Sequence, residues 1–245
     1  MHRSHPVAER LAAVVMLVVV AAGAGAYAYD ARVEHHIIVP RQTVASARSL
    51  AVQISHGRVR VERGSGDAIT IDRSARFFGR RPGYSLTRTR GRLSIESRCA
   101  SAAPGVDLSI FGGCDVDLVV RVPGTTALRV VTDGGDIELV GLGGVIMAET
   151  GFGDIRGSGL RASDATFDTG TGDVNVRFRE RPRQISSDTG TGDVRLAVPR
   201  GGYRLALDSG VGSKTVDGIT DDPASDAKIT ADTGVGDIIV EAIDG

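Results

Sequence analysis

Five aspartates recur in one setting. Asp136, Asp154, Asp173, Asp193 and Asp237 each follow a glycine, as in FDTGTGDVNVRF and SDTGTGDVRLAV. They are spaced 18, 19 and 20 residues apart; Ser213 takes the position once, 20 residues after Asp193 and 24 before Asp237. A second acidic series, Glu149, Asp168, Asp188, Asp208 and Asp232, immediately precedes the Thr or Ser of the same phrase. Stacked carboxylates about 5 Å apart repel unless they are hydrogen-bonded, solvated or bridged by cations. Structural calcium held by Asp168, Asp173, Asp188 and Asp193 is one chemistry open to them. It is a weak candidate, because the known calcium-binding nonapeptide spaces its Gly and Asp differently. Carboxylate pairs also hydrolyse glycosidic bonds. Such a site breaks a repeat locally and gathers acid, base and Arg, and no such break is visible. The chain is therefore read as a non-enzyme with no catalytic residue and no cofactor.

The remaining reading is a turn. Glycine supplies the φ > 0 conformations that other residues resist. Asp and Thr side chains bond to backbone groups within turns. Asp136, Asp154, Asp173, Asp193 and Asp237 are thus expected first as repeat turns, with any cation secondary.

A turn repeated near every twenty residues needs elements of fixed length between its copies. From Ser46 onward strand-like runs follow one another (LAVQI, GRVRVER, AITIDR, RLSIES, DVDLVVRVP, ALRVVT), with almost no helical signal. A fixed period in a β-rich chain is the signature of a β-solenoid or β-helix. Three inward columns follow. The first is Leu128, Ile146, Ala165, Ile185, Leu205 and Ile229. The second is Val130, Ala148, Phe167, Ser187, Leu207 and Ala231. The third is Thr132, Thr150, Thr169, Thr189, Ser209 and Thr233. The 33 glycines, the 4% aromatic content and the absence of Trp fit thin layers of small and β-branched side chains. A net charge of −1 gives no global field that would favour nucleic acid.

Other chemistry is sparse. Of the five histidines only His56 falls in the β region, and no nucleophile-elbow phrase accompanies it. It reads as an exposed or strand-edge histidine. Cys99 and Cys114 are expected to form a disulfide. Arg73, Arg76, Arg80, Arg81, Arg88, Arg90 and Arg92, and separately Arg177, Arg179, Arg181 and Arg183, cluster as contacts for anionic polymers or headgroups, or as a solvated face balancing the acidic columns.

Residues 11–29 carry no charge, and Arg3 and Arg10 precede them. They read as a transmembrane signal anchor, with a cytoplasmic tail at 1–10, a juxtamembrane spacer at 30–45 and an extracytoplasmic domain at 46–245. Ala26-Tyr27-Ala28 offers the alternative of a cleaved signal and secretion.

The phrases RVPGTTALRVVTDGGDIELVGLGG, TGFGDI, TGTGDV (twice) and TGVGDI, with the early HGRVRVERGSGDAITI, resemble a bacterial family of unknown function labelled "putative adhesin". The resemblance covers roughly Ser46 to the end. It implies a right-handed single-stranded β-helix or β-solenoid outside the membrane, and it brings no catalytic or ligand residues. The expected function is adhesion or a surface-binding scaffold, with an envelope protein or surface polymer as partner. The alternatives are an accessory partner in envelope-stress signalling and, less favoured, a polysaccharide-active β-helix enzyme. The chain stops just after its last repeat, so self-association through an uncapped solenoid end is expected.

Overall fold

The computed structural model describes residues 34–78, 80–99 and 113–243. Alternating strands bury one face each, so layers of them must pack around a shared core. Twenty strands do so. In chain order they are β1 (Glu34–Val44), β2 (Ser49–His56), β3 (Val59–Arg63), β4 (Ile69–Phe78), β5 (Gly83–Thr89), β6 (Arg92–Arg98), β7 (Cys114–Val122), β8 (Ala127–Gly134), β9 (Ile137–Val140) and β10 (Ile146–Phe152). They continue with β11 (Ile155–Leu160), β12 (Asp164–Thr171), β13 (Val174–Phe178), β14 (Gln184–Thr191), β15 (Val194–Pro199), β16 (Gly202–Val211), β17 (Lys214–Asp217), β18 (Thr220–Asp221), β19 (Lys228–Val235) and β20 (Ile238–Ile243). One ten-stranded sheet runs β1-β4-β7-β3-β9-β11-β13-β15-β20-β17. The other runs β18-β16-β19-β14-β12-β10-β8-β2-β6-β5.

This corrects the expected fold. The all-β class holds, but the chain is two large mixed sheets rather than a single-stranded right-handed β-helix or β-solenoid. Antiparallel pairs β1–β4, β4–β7 and β5–β6 occupy the first half. Spatial order also leaves chain order: β3 lies between β7 and β9, and β20 between β15 and β17. A repeat period reports only that neighbouring strands are parallel and in register. It does not report which neighbour each strand chooses.

The N-terminal transmembrane helix finds no support either. Residues 11–29 lie outside the described residues, and among the described residues no helix is long and apolar enough to cross a membrane. Residues 34–44, read from sequence within a spacer, form β1, paired antiparallel with β4.

The three inward columns stack in register. Ile146 pairs with both Leu128 and Ala165, Ala165 with Ile185, and Ile185 with Ile229; Leu205 follows Ile229 rather than preceding it. Phe167 shares its column with Ala148, Ser187 and Ala231, and these small neighbours leave room for its ring. The ring meets Phe178 of the other sheet edge-on, with centroids 6.4 Å apart. Both are fully buried, and burial of each is worth about 2–3 kcal/mol.

The two ends of the core differ. At the end formed by the first strands, buried Arg73 of β4 lies 4.1 Å over the Tyr84 ring of β5, and the Tyr84 hydroxyl donates to Gln42 of β1. Burial lowers the Arg73 pKa and raises that of Tyr84. At the other end β17 is outermost in one sheet, and in the other the two-residue β18 lies outside β16; all four β17 residues are exposed. The final repeat, β19 and β20, is therefore interior. The expected uncapped end at the chain's last repeat is corrected: the outer repeat is the one before it.

Candidate functional site

Each part of Thr-Gly-x-Gly-Asp has its own task at the corner between the sheets. The Thr side chain is buried and donates to the second glycine of the neighbouring repeat. Thr150 donates to the Gly135 carbonyl (3.0 Å), Thr169 to Gly153 (3.0 Å), Thr189 to Gly172 (3.1 Å) and Thr233 to Gly192 (2.9 Å). The first glycine leaves no room for a side chain; a Cβ on Gly170 would lie 2.6 Å from the Gly151 oxygen. The middle residue faces solvent, as Phe152 and Val235 show. The second glycine combines both demands: Gly172 has φ +145°, and a Cβ there would lie 2.1 Å from the Gly153 oxygen.

The aspartate closes the unit across repeats. Asp136 Oδ1 accepts the N–H of Asp154 (3.1 Å), Asp154 that of Asp173 (2.9 Å), Asp173 that of Asp193 (2.8 Å) and Asp193 that of Asp237 (2.8 Å). Asp237 Oδ1 then accepts from both the N–H (2.7 Å) and the hydroxyl (3.0 Å) of Ser213. These two bonds hold the Asp237 carboxyl below the usual carboxylate range. Ser213 belongs to the outermost repeat, where no further N–H follows, so the position needs a donor and no carboxylate.

Asp136, Asp154, Asp173, Asp193 and Asp237 are the repeat turns, and their carboxylates serve as backbone acceptors. Asp168, Asp188, Asp232 and Asp208 stack in direct register on the outer face instead. Among the described residues no three His, Cys, Asp or Glu side chains are grouped to hold a metal ion. Cys99 and Cys114 form the expected disulfide.

Part of each arginine cluster is engaged within the fold. Arg76 pairs with Asp115 (3.3 Å), and Arg88 donates to the carbonyls of Ala45 and Ser46. Arg181 donates to the Gly202 carbonyl and lies over Tyr203, and Arg183 holds Asp164 (2.8 Å). A chain of ion pairs runs across five strands of one sheet, from Arg41 through Asp72, Arg121, Glu62 and Arg60 to Glu138.

The ladder has a head that sequence reasoning missed. Val59 is in register with Leu118 on one side and Ile137 on the other, so Asp117, Arg58 and Asp136 are successive members of one column. There the corner opens into a cleft of about 410 Å3. Its charged and titratable lining is His56, Arg58, Arg76, Asp115, Asp117 and Asp136, with glycine backbone between and Cys114 at one wall. His56 lies over Gly134, and its Nδ1 is enclosed with no partner. A usable signal existed: His56-Gly57-Arg58-Val59 aligns with Gly134-Gly135-Asp136-Ile137, and Gly57 shares the positive φ of the corner glycines at +122°. A larger groove of about 490 Å3, lined by glycine backbone with Arg63, Asp67, Arg161 and Glu180, lies elsewhere; its Arg161 is 3.7 Å from Glu180.

No family model matches the chain, and no curated protein matches it. Several solved structures are similar. A putative cell adhesion protein from Clostridium sporogenes ATCC 15579 is 11% identical, covers 86% of this chain and 99% of its own, and has a TM-score of 0.45. A putative adhesin from Bacteroides fragilis NCTC 9343 is 11% identical, with coverages of 85% and 97% and a TM-score of 0.41. A putative lipid binding protein from Parabacteroides distasonis ATCC 8503 is 8% identical, with coverages of 86% and 97% and a TM-score of 0.27. Their names differ, and likeness at this level says nothing of what this chain binds.

Proposed function

We propose that this is a non-catalytic surface-binding protein, an adhesin or scaffold displayed outside the cytoplasm and holding an envelope polymer or protein. One observation carries the reading. The repeated aspartates are held as backbone acceptors at every step, from Asp136 to Asp237, so none is left as a paired acid and base. What remains accessible is an open polar cleft and the long outer faces of two sheets. The Cys99–Cys114 disulfide supports an oxidising compartment, as does the uncharged run at residues 11–29, which suits export.

Cosedimentation of the full chain with isolated envelope of the native host tests this. Retention on polysaccharide or on an envelope protein, with the polymer's length unchanged over hours, is the expected result. Shortening of the polymer would overturn the non-catalytic reading, and no retention would overturn the binding one.

A further inference from the structure

We infer that the cleft at the head of the aspartate ladder binds an uncharged sugar unit of a surface polysaccharide through its hydroxyl groups. This deepens the surface-binding reading, on which it rests, by giving it a place and a chemistry.

From Asp136 onward every carboxylate of the column takes the N–H of the next repeat. At the head the series breaks, because Arg58 stands where an aspartate stands elsewhere. Arg76 and Asp136 are already engaged, with Asp115 and Arg156 respectively. Arg58 and Asp117 are not: neither has a hydrogen-bond or ion-pair partner among the described residues, although they are neighbours in register. The cleft therefore presents one free guanidinium and one free carboxylate, with the enclosed and unpartnered Nδ1 of His56 behind its wall.

That set selects against a charged ligand. An anion attracted to Arg58 meets Asp117, and a cation attracted to Asp117 meets Arg58. Hydroxyl groups satisfy both, since each can donate to the carboxylate and accept from the guanidinium. Adjacent strands lie about 4.8 Å apart, which sets the two groups at a spacing that neighbouring hydroxyls on one ring can bridge. The lining offers no apolar side chain beyond the disulfide, which excludes an acyl chain. It also holds no Phe, Tyr or Trp platform, so a single unit binds weakly and a polymer is held by many contacts.

Calorimetric titration of the full chain with neutral glucan, mannan and galactan fragments tests the inference, with galacturonate oligomers and inorganic phosphate in parallel. Expected is binding of at least one neutral fragment, little changed between low and high salt. Arg58→Gln and Asp117→Asn should each weaken it about tenfold or more, the loss of a hydrogen bond to a charged group. Asp117→Asn is isosteric, Arg58→Gln shortens an exposed side chain, and neither removes an internal bond, so the melting temperature stays the same. The inference is overturned if no neutral fragment binds, if only the acidic probes bind and salt abolishes it, or if both variants bind as the parent does. Should whole envelope polymer cosediment equally with parent and both variants, the surface-binding reading stands and this cleft is the wrong place.

Discussion

Gly172 meets two demands at one atom, a positive φ and a backbone oxygen 2.1 Å from where a Cβ would stand. Gly172→Ala is expected to destabilise by about 2–3 kcal/mol or more, because neither strain nor contact can relax within a stack held on both sides. The exposed neighbour Thr171→Ala should change stability by less than about 0.5 kcal/mol. Thr169→Val removes a buried donor to the Gly153 carbonyl and should cost about 1 kcal/mol. Urea unfolding of the three variants ranks them. The glycine and threonine roles were legible in the sequence, because corner geometry follows from residue type alone. The cross-repeat role of aspartate was not, since its donor lies a full repeat away. Arg58 was readable only by aligning its phrase with the corner, and Asp117 was hidden more deeply, on a strand whose adjacency no local pattern reveals.

At the scale of elements, three carboxylates tie strands together and sit below the usual range. Asp72 is held down chiefly by its hydrogen bond from Arg41, Asp164 by the Ser163 hydroxyl and then Arg183, and Asp237 by Ser213. A depressed carboxylate stabilises the fold above its unfolded pKa and ceases to do so as pH falls through its folded value. The urea midpoint should therefore hold steady from neutral pH to about 5 and fall below about 4. Asp237→Asn should blunt that fall; an unchanged acid limb would refute the role given to Ser213. The disulfide acts at the same scale. It fastens the chain just beyond β6 of one sheet to the first residue of β7 in the other, with a sequence separation of 15. Reduction should lower stability by about 3 kcal/mol in the chain-entropy model. Its pairing was legible from two cysteines alone, whereas its position at the wall of the cleft was not.

For the whole molecule, the inserted final repeat makes a distinct forecast. In an array stacked in chain order the last strands fray first. Here β20 lies between β15 and β17, so amide hydrogen exchange should show Ile238 and Val240 among the slow residues and β17 among the fast. The reverse order would contradict the topology. Periodicity made the strands, their inward faces and their registers legible. It could not show that β19 and β20 insert, because Ile229 fits the same column on either side of Leu205. The one sequence clue was Ser213, the departure from Asp that marks the outermost position.

That insertion has a consequence for how the chain comes into being. A polypeptide emerges from the ribosome, or from an export channel, beginning with its first residues. When residues 202–221 appear, the seat beside residues 184–199 belongs to a segment not yet made. The earlier arrival must wait, or occupy the seat and later give it up. A product interrupted near residue 221 would thus hold its repeats in the wrong neighbourhood, and only synthesis through residue 243 lets the native arrangement form. The order of strands in space makes the place of residues 202–221 depend on residues 228–243, which are made after them.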